Sequence, residues 1–294
     1  MTDTNAGLMV EMGKGLDCYM AAADETAAEL LQGDDGLMAA LRRYDDYLRR
    51  DIWAHLVRSS AIGFILQMNA YMVFLAGVRM ALSGHAAAVF PLLRTALESA
   101  SYGLLIERDP VLADVWTHRH RSEADKKACR KAFTFDQGIV HLKDFAPEVY
   151  DLAKLAYEGA IDFGAHPNLK GVASHLSIAE NRPDGSTAIT LTSLYGSAHV
   201  ETVRGLCACL DFGFAIIGMI ALAAPDPSEE RVKRLIEELQ ALNDLKNDAV
   251  APYHHPNNFP HAAHFRWLVG PVIPQGPTSG VTAFRGFKGV RARY

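Results

Sequence analysis

None of the short strings that announce the commonest enzyme chemistries occurs in this chain. There is no phosphate-binding glycine loop, no Gly-x-Ser-x-Gly elbow, no zinc-protease string and no dinucleotide fingerprint. Nucleotide-dependent kinases and Rossmann dehydrogenases are thereby set aside. Cysteine is scarce: Cys18, Cys129, Cys207 and Cys209 contain no Cys-x-x-Cys pair. That excludes a structural zinc knuckle and a disulfide framework, and leaves reduced thiols packed as small apolar groups in a reducing cytosol. The first fifteen residues have no basic segment followed by an apolar one, so no signal peptide is expected. No Pro/Gly/Ser linker or charge run divides the 294 residues, and the simplest organisation is one large helical domain. The formal net charge of -5 asks for no acidic partner.

Apolar residues make up 49% of the chain, enough for a substantial core. One stretch, 205–223, is as long as a membrane span and carries a single charge, Asp211. Lipid would have to accommodate that carboxylate, and the next most apolar segment, 60–82, contains Gln67, Asn69 and Arg79. Both are therefore expected as buried helices of a soluble, cytoplasmic protein with no membrane partner.

Helical periodicity dominates the first half, with apolar residues returning at spacings of three and four. It predicts helices over 6–31, 36–57, 59–82, 87–107, 110–132, 134–143 and 147–164. Asp109 and Pro110 are expected to start the fifth, while Pro91 lies in the first turn of the fourth or kinks it. The runs GVASHLSI (171–178) and STAITLTSL (186–194), rich in β-branched residues and separated by the turn-forming AENRPDG, predict a β-hairpin. Helices resume over 197–224 and 228–248. The expected fold is all-α: a bundle over 1–250 with a hairpin near 171–194. The remaining residues, 251–294, form an irregular Pro/Gly-rich C-terminal arm. Phe265, Trp267, Phe284 and Phe287 in that arm suit packing on the domain or on a second subunit, which makes a homodimer the expected assembly.

Several charged pairs recur at helical spacing. Arg94 and Glu98 lie four apart on a largely apolar helix, where a charge is costly unless paired or used. They are either a structural salt bridge or an anion-binding arginine with a carboxylate that orients it. Asp162 and His166, in DFGAHPN, are either a functional pair at a helix end or a helix cap. Asp114 with His118, and Asp51 with His55, repeat the spacing inside the similar strings DVWTHRHRS and DIWAHLVRS. Two helices placing a tryptophan on the core account for that similarity more cheaply than a repeat does. No Glu-x-x-His or His-x-x-x-His pattern accompanies these pairs, so neither a metal nor another cofactor is expected. The histidines at 254, 255, 261 and 264 are interleaved with proline and asparagine and suit a polar surface loop.

Two resemblances follow from these strings. Arg50-Asp51-Ile52-Trp53-Ala54-His55 resembles the Arg, polar residue, three variable residues, His motif of HEPN-type helical ribonucleases. That likeness implies a metal-independent RNA cleavage with His55 as acid or base and Arg50 stabilising developing charge. It covers six residues, and it falls before the most apolar helices rather than late in the bundle. The run 71–119, with Arg94, Glu98, Asp109-Pro110 and Trp116, followed by His166-Pro167, is similar to a group of bacterial all-helical proteins and implies a fold without an activity. Two functions are therefore expected. The first is binding of a small, partly anionic ligand between helices by Arg94, Glu98, His118, Asp162 and His166. The alternative, with RNA as partner, is the ribonuclease built on Arg50 and His55.

Overall fold

The computed structural model describes residues 15–33, 36–54, 60–165, 171–172, 175–181, 187–223 and 229–254. Eleven α-helices and one two-stranded sheet are found among them, so the chain is an all-α bundle with a minor hairpin. The helices are α1 (Leu16–Gln32), α2 (Gly36–Asp46), α3 (Ala61–Leu82), α4 (Ala86–Arg108), α5 (Leu112–Thr117), α6 (Glu123–Ala132), α7 (Phe135–Ile139), α8 (Leu142–Phe145), α9 (Pro147–Ala160), α10 (Val200–Leu222) and α11 (Glu229–Val250). The C-terminal arm beyond the short turn Ala251–His254 lies outside the described residues, as do His55 and His166.

Local hydrogen bonding redraws several expected boundaries. The expected helix over 110–132 is two helices, because the Ser122 hydroxyl accepts the Asp125 N–H and caps α6 afresh. Asp109 accepts from the Val111 N–H, and α5 begins one residue later than that. The expected helix over 36–57 changes at Tyr47 into a wider π turn, Tyr47–Ile52. A second π segment, Ile161–Ala165, ends α9 and contains the non-helical Phe163 and Gly164. Pro91 neither starts nor breaks α4, which runs through it.

From Glu201 to Leu222 every residue of α10 is buried, as expected of a helix that is apolar on all sides. It is enclosed by α2, α3, α4, α9 and α11. Its mid-helix carboxylate, Asp211, is neutralised by Lys246 of α11 at 2.9 Å, and both side chains are almost wholly enclosed. The Lys246 ammonium also lies 5.8 Å from the centre of the Phe214 ring. By length and composition α3 and α10 could each cross a membrane, but α10 is the core helix of this bundle.

Helix α3 pairs closely with α4. A Cβ on Gly103 would stand 2.9 Å from the Gly63 carbonyl and 2.7 Å from the Gln67 side chain, so only glycine lets the backbones come this near. Beyond that crossing a smaller cluster forms, with Leu66, Leu105, Ile106, Cys129 and Phe133 at its centre. Trp116 packs on this cluster and Trp53 on the main core, in keeping with the two tryptophan-bearing strings. Three cysteines are buried free thiols, whereas Cys18 is exposed.

The hairpin strands are β1 (Leu176–Asn181) and β2 (Thr187–Leu191), antiparallel, with Leu176 opposite Leu191 and Ile178 opposite Ile189. The first strand starts five residues later than expected and takes in Ala179–Asn181 from the expected turn. Leaving β2, the chain returns to the bundle at Gly84, whose carbonyl accepts the Tyr195 N–H at 3.1 Å. A Cβ on Gly84 would meet the Tyr195 carbonyl oxygen at 2.0 Å, and its φ of +77° is itself one that favours glycine.

Candidate ligand site between α4 and α9

Arg94 and Glu98 occupy successive turns of α4 on the side that faces α9. The Arg94 Nε donates to Glu98 Oε1 at 3.1 Å, and the pair is about three-quarters enclosed, at 19% and 29% side-chain exposure. Tyr157 of α9 closes the arrangement. Its hydroxyl accepts from Arg94 Nη2 at 2.9 Å and donates to Glu98 Oε1 at 3.1 Å. The guanidinium carbon lies 5.0 Å from the Tyr157 ring centre, and the opposite partner of that ring is Phe135, stacked at 4.1 Å with only 5° between planes. Tyr157 is therefore held by α7 and in turn holds Arg94. This third member had no spacing or motif to signal it, since it lies 63 residues from Arg94 in the chain.

The electrostatics follow from that triangle. Burial works against the Arg94 charge, but the Tyr157 hydroxyl and the Glu98 carboxylate outweigh it and hold the guanidinium above its ordinary pKa. Burial and the Glu98 charge both push Tyr157 up, so it stays a neutral hydroxyl able to donate and accept at once. Tyr102, on the same stretch of α4, is raised to about 12 by burial and by Glu98.

Asp162 borders the same seam. It belongs to the π segment Ile161–Ala165, which leans on α4 through Phe163 stacked on Phe90 at 5.5 Å, one turn before Arg94. His118 sits apart. It ends α5, gives its backbone N–H to the Asp114 carbonyl, and belongs to the region where α5 packs near Leu105 and Ile106. Eleven residues of α4 separate Leu105 from Arg94, about 16 Å along a helix. His118 is thus removed from the set that the sequence grouped.

Arg50 lies elsewhere, on the outer side of the Tyr47–Ile52 turn, with 72% of its side chain exposed and its Nε 3.4 Å from Asp46. Its surroundings are charge-balanced: Arg49 engages Asp45 and Asp46, and Arg43 engages Asp51.

A second polar region was not singled out from the sequence. Between α1 and the segment leading into α10 runs an open groove of about 730 Å³, lined by Glu25, Thr26 and Glu29 on one side and by residues 194–199 on the other. At that wall, His175 Nδ1 is 2.8 Å from the Tyr195 hydroxyl and the His199 ring stacks on Tyr195 at 4.4 Å. His199 also caps α10 by accepting the Glu201 N–H, and the buried Glu201 pairs with Arg204 at 2.9 Å. Burial and the nearby Arg204 charge hold both histidines below their ordinary pKa. Hairpin register was the available signal, because pairing Leu176 with Leu191 sets His175 beside Thr192, whose N–H bonds to the His175 carbonyl.

No grouping of three metal-ligating side chains occurs among the described residues. Comparison with protein-family models, with curated proteins and with solved structures gives no match to this chain.

Proposed function

We propose that the protein binds a small, partly anionic molecule at the α4–α9 seam, with Arg94 as the anion contact, Glu98 and Tyr157 as the groups that orient it, and Asp162 at the rim. The observation that carries this reading is the closed triangle of Arg94, Glu98 and Tyr157 braced by Phe135. An i,i+4 ion pair at a helix surface contributes only about 0.3–0.5 kcal/mol, and packing alone does not call for three polar groups on an aromatic brace. A carboxylate or phosphate entering the seam competes with Glu98 for the guanidinium, and the Tyr157 hydroxyl can turn from Glu98 to the newcomer. The buried free thiols Cys129, Cys207 and Cys209 suit a reducing compartment, and we place the protein in the cytoplasm.

Thermal unfolding in increasing phosphate or succinate, at constant ionic strength set with chloride, tests the proposal. The wild-type protein should be stabilised saturably, by about 2.7 kcal/mol at one hundred times the dissociation constant. Arg94→Gln should lose the effect, and Tyr157→Phe should weaken binding about tenfold, as for one hydrogen bond to a charged group. Equal responses from wild type and Arg94→Gln would sink the reading. The ribonuclease alternative rests on the exposure of Arg50, and it predicts an RNA cleavage that His55→Ala abolishes.

A further inference from the structure

Helix α3 has two apolar faces, and only one is used by the bundle. Gly63, Leu66, Ala70, Phe74, Gly77 and Ala81 face inward and are buried. On the outside, Ile65 is 56% and Met72 62% exposed, with Phe64 and Leu75 close to 40%. No charged residue interrupts the helix from Ala61 to Ala76.

Along the outside Ala61, Ile65, the half-buried Met68, Met72, Leu75 and Arg79 follow one another at alternating steps of four and three, with the exposed Asn69 beside Ile65 and Met72. That is the seam of a helix meeting one other helix, with the period of 3.5 that a single partner helix imposes. The stripe is also its own complement when reversed. Set antiparallel about a two-fold axis near Ala70, Met68 of one copy meets Met72 of the other and Ile65 meets Leu75, so the central positions are filled by large apolar side chains, and Ala61 meets Arg79 at the ends. Arg79, at the end of the stripe, is already neutralised by Asp24 of α1 at 2.6 Å, so it forms a polar rim and brings no unpaired charge.

Helix α1 widens the face. The contacts Arg79 to Asp24 and His85 to Tyr19 show that α1 runs antiparallel to α3, which carries Leu31, 49% exposed, toward the Met72 side. Five large side chains, each about half exposed and presenting roughly 200 Å² when free, offer about 500 Å² per copy, and two copies reach the ~1,000 Å² that a specific interface needs. We propose that the outer face of α3, extended by Leu31, is the interface of a two-fold homodimer in which α3 packs antiparallel against α3 of the second copy.

Light scattering of the full-length protein during size exclusion tests this directly. The expected mass is twice the 32.1 kDa of one chain, and the Ile65→Lys/Met72→Lys double variant should elute at one chain mass with an unchanged helical circular dichroism spectrum. A second variant guards against misfolding of the first: Met68→Cys/Met72→Cys in a Cys18→Ser background should form intermolecular disulfides in high yield on mild oxidation. A monomeric wild type overturns the proposal, whether it stays in solution or partitions onto phosphatidylcholine vesicles. So does a dimer that survives both lysines, or a cysteine pair that fails to cross-link.

Discussion

Gly84 does two jobs that no other amino acid could do there. Its φ of +77° is in the left-handed region, the missing Cβ leaves room for the Tyr195 carbonyl, and the Gly84 carbonyl accepts the Tyr195 N–H, which fastens the segment before α10 to the turn between α3 and α4. Gly84→Ala should therefore cost at least about 2 kcal/mol, more than left-handed strain alone, because the Tyr195 strand of backbone must also move. Urea denaturation measures the loss, and faster amide exchange at Tyr195 locates it; an unchanged midpoint would mean that the latch contributes nothing. The sequence placed a break between the expected helices 59–82 and 87–107, where Ser83 and Gly84 fall. Their contact with Tyr195, more than a hundred residues away, was not legible there. Arg94 and Glu98 show the same limit. Helical spacing pairs them, since i and i+4 share a face, but the tyrosine that completes the site arrives through the packing of α9, which periodicity does not encode.

Asp211 and Lys246 tie together the two helices on which they stand. The sequence marked Asp211 as the single charge in an apolar run and weighed it as an argument against a membrane span; its counter-charge was hidden in α11, where Lys246 follows Leu242 and Leu245 on what reads as an ordinary amphipathic stripe. Removing one member leaves an uncompensated buried charge, so Lys246→Met or Asp211→Leu alone should destabilise by about 3–5 kcal/mol. Together they should cost far less than the sum, roughly 0–2 kcal/mol, since two apolar side chains then meet. A denaturant double-mutant cycle gives the coupling, and strict additivity would show that the pair is not energetically linked. Element ends were the least legible feature of the helices. The break at Ser122 depends on one hydroxyl accepting one N–H, and the π turns at Tyr47–Ile52 and Ile161–Ala165 depend on how neighbouring helices dock. By contrast, α3, α4, α9 and α10 fall close to where apolar spacing and capping residues put them.

The dependence of overall stability on pH follows from three histidines near one end of the bundle. Burial first holds His85, His175 and His199 below 6.5; Arg204 adds to it for His175 and His199, and Arg79 adds to it for His85. In the unfolded chain these imidazoles take up protons at higher pH than in the folded one, so acidification through 6.5 favours unfolding. Glu201, raised mainly by burial, acts in the opposite sense and offsets part of the loss once pH approaches its own titration. The urea midpoint should fall between about pH 7 and pH 5, and His175→Asn/His199→Asn should flatten that slope. A wild-type midpoint that is level across this window would contradict the lowered titration of these histidines in the folded protein.

The ion pair in the core also sets an order in time. Lys246 follows Asp211 by 35 residues, about 2–7 s of ribosomal synthesis at 5–20 residues per second. Throughout that interval α10 is the most apolar segment yet made, and the lysine that pairs with its Asp211 has not been added. The bundle cannot close around α10 until α11 has left the ribosome, so the nascent chain keeps its longest apolar helix uncovered through that interval, when a chaperone has the most to shield.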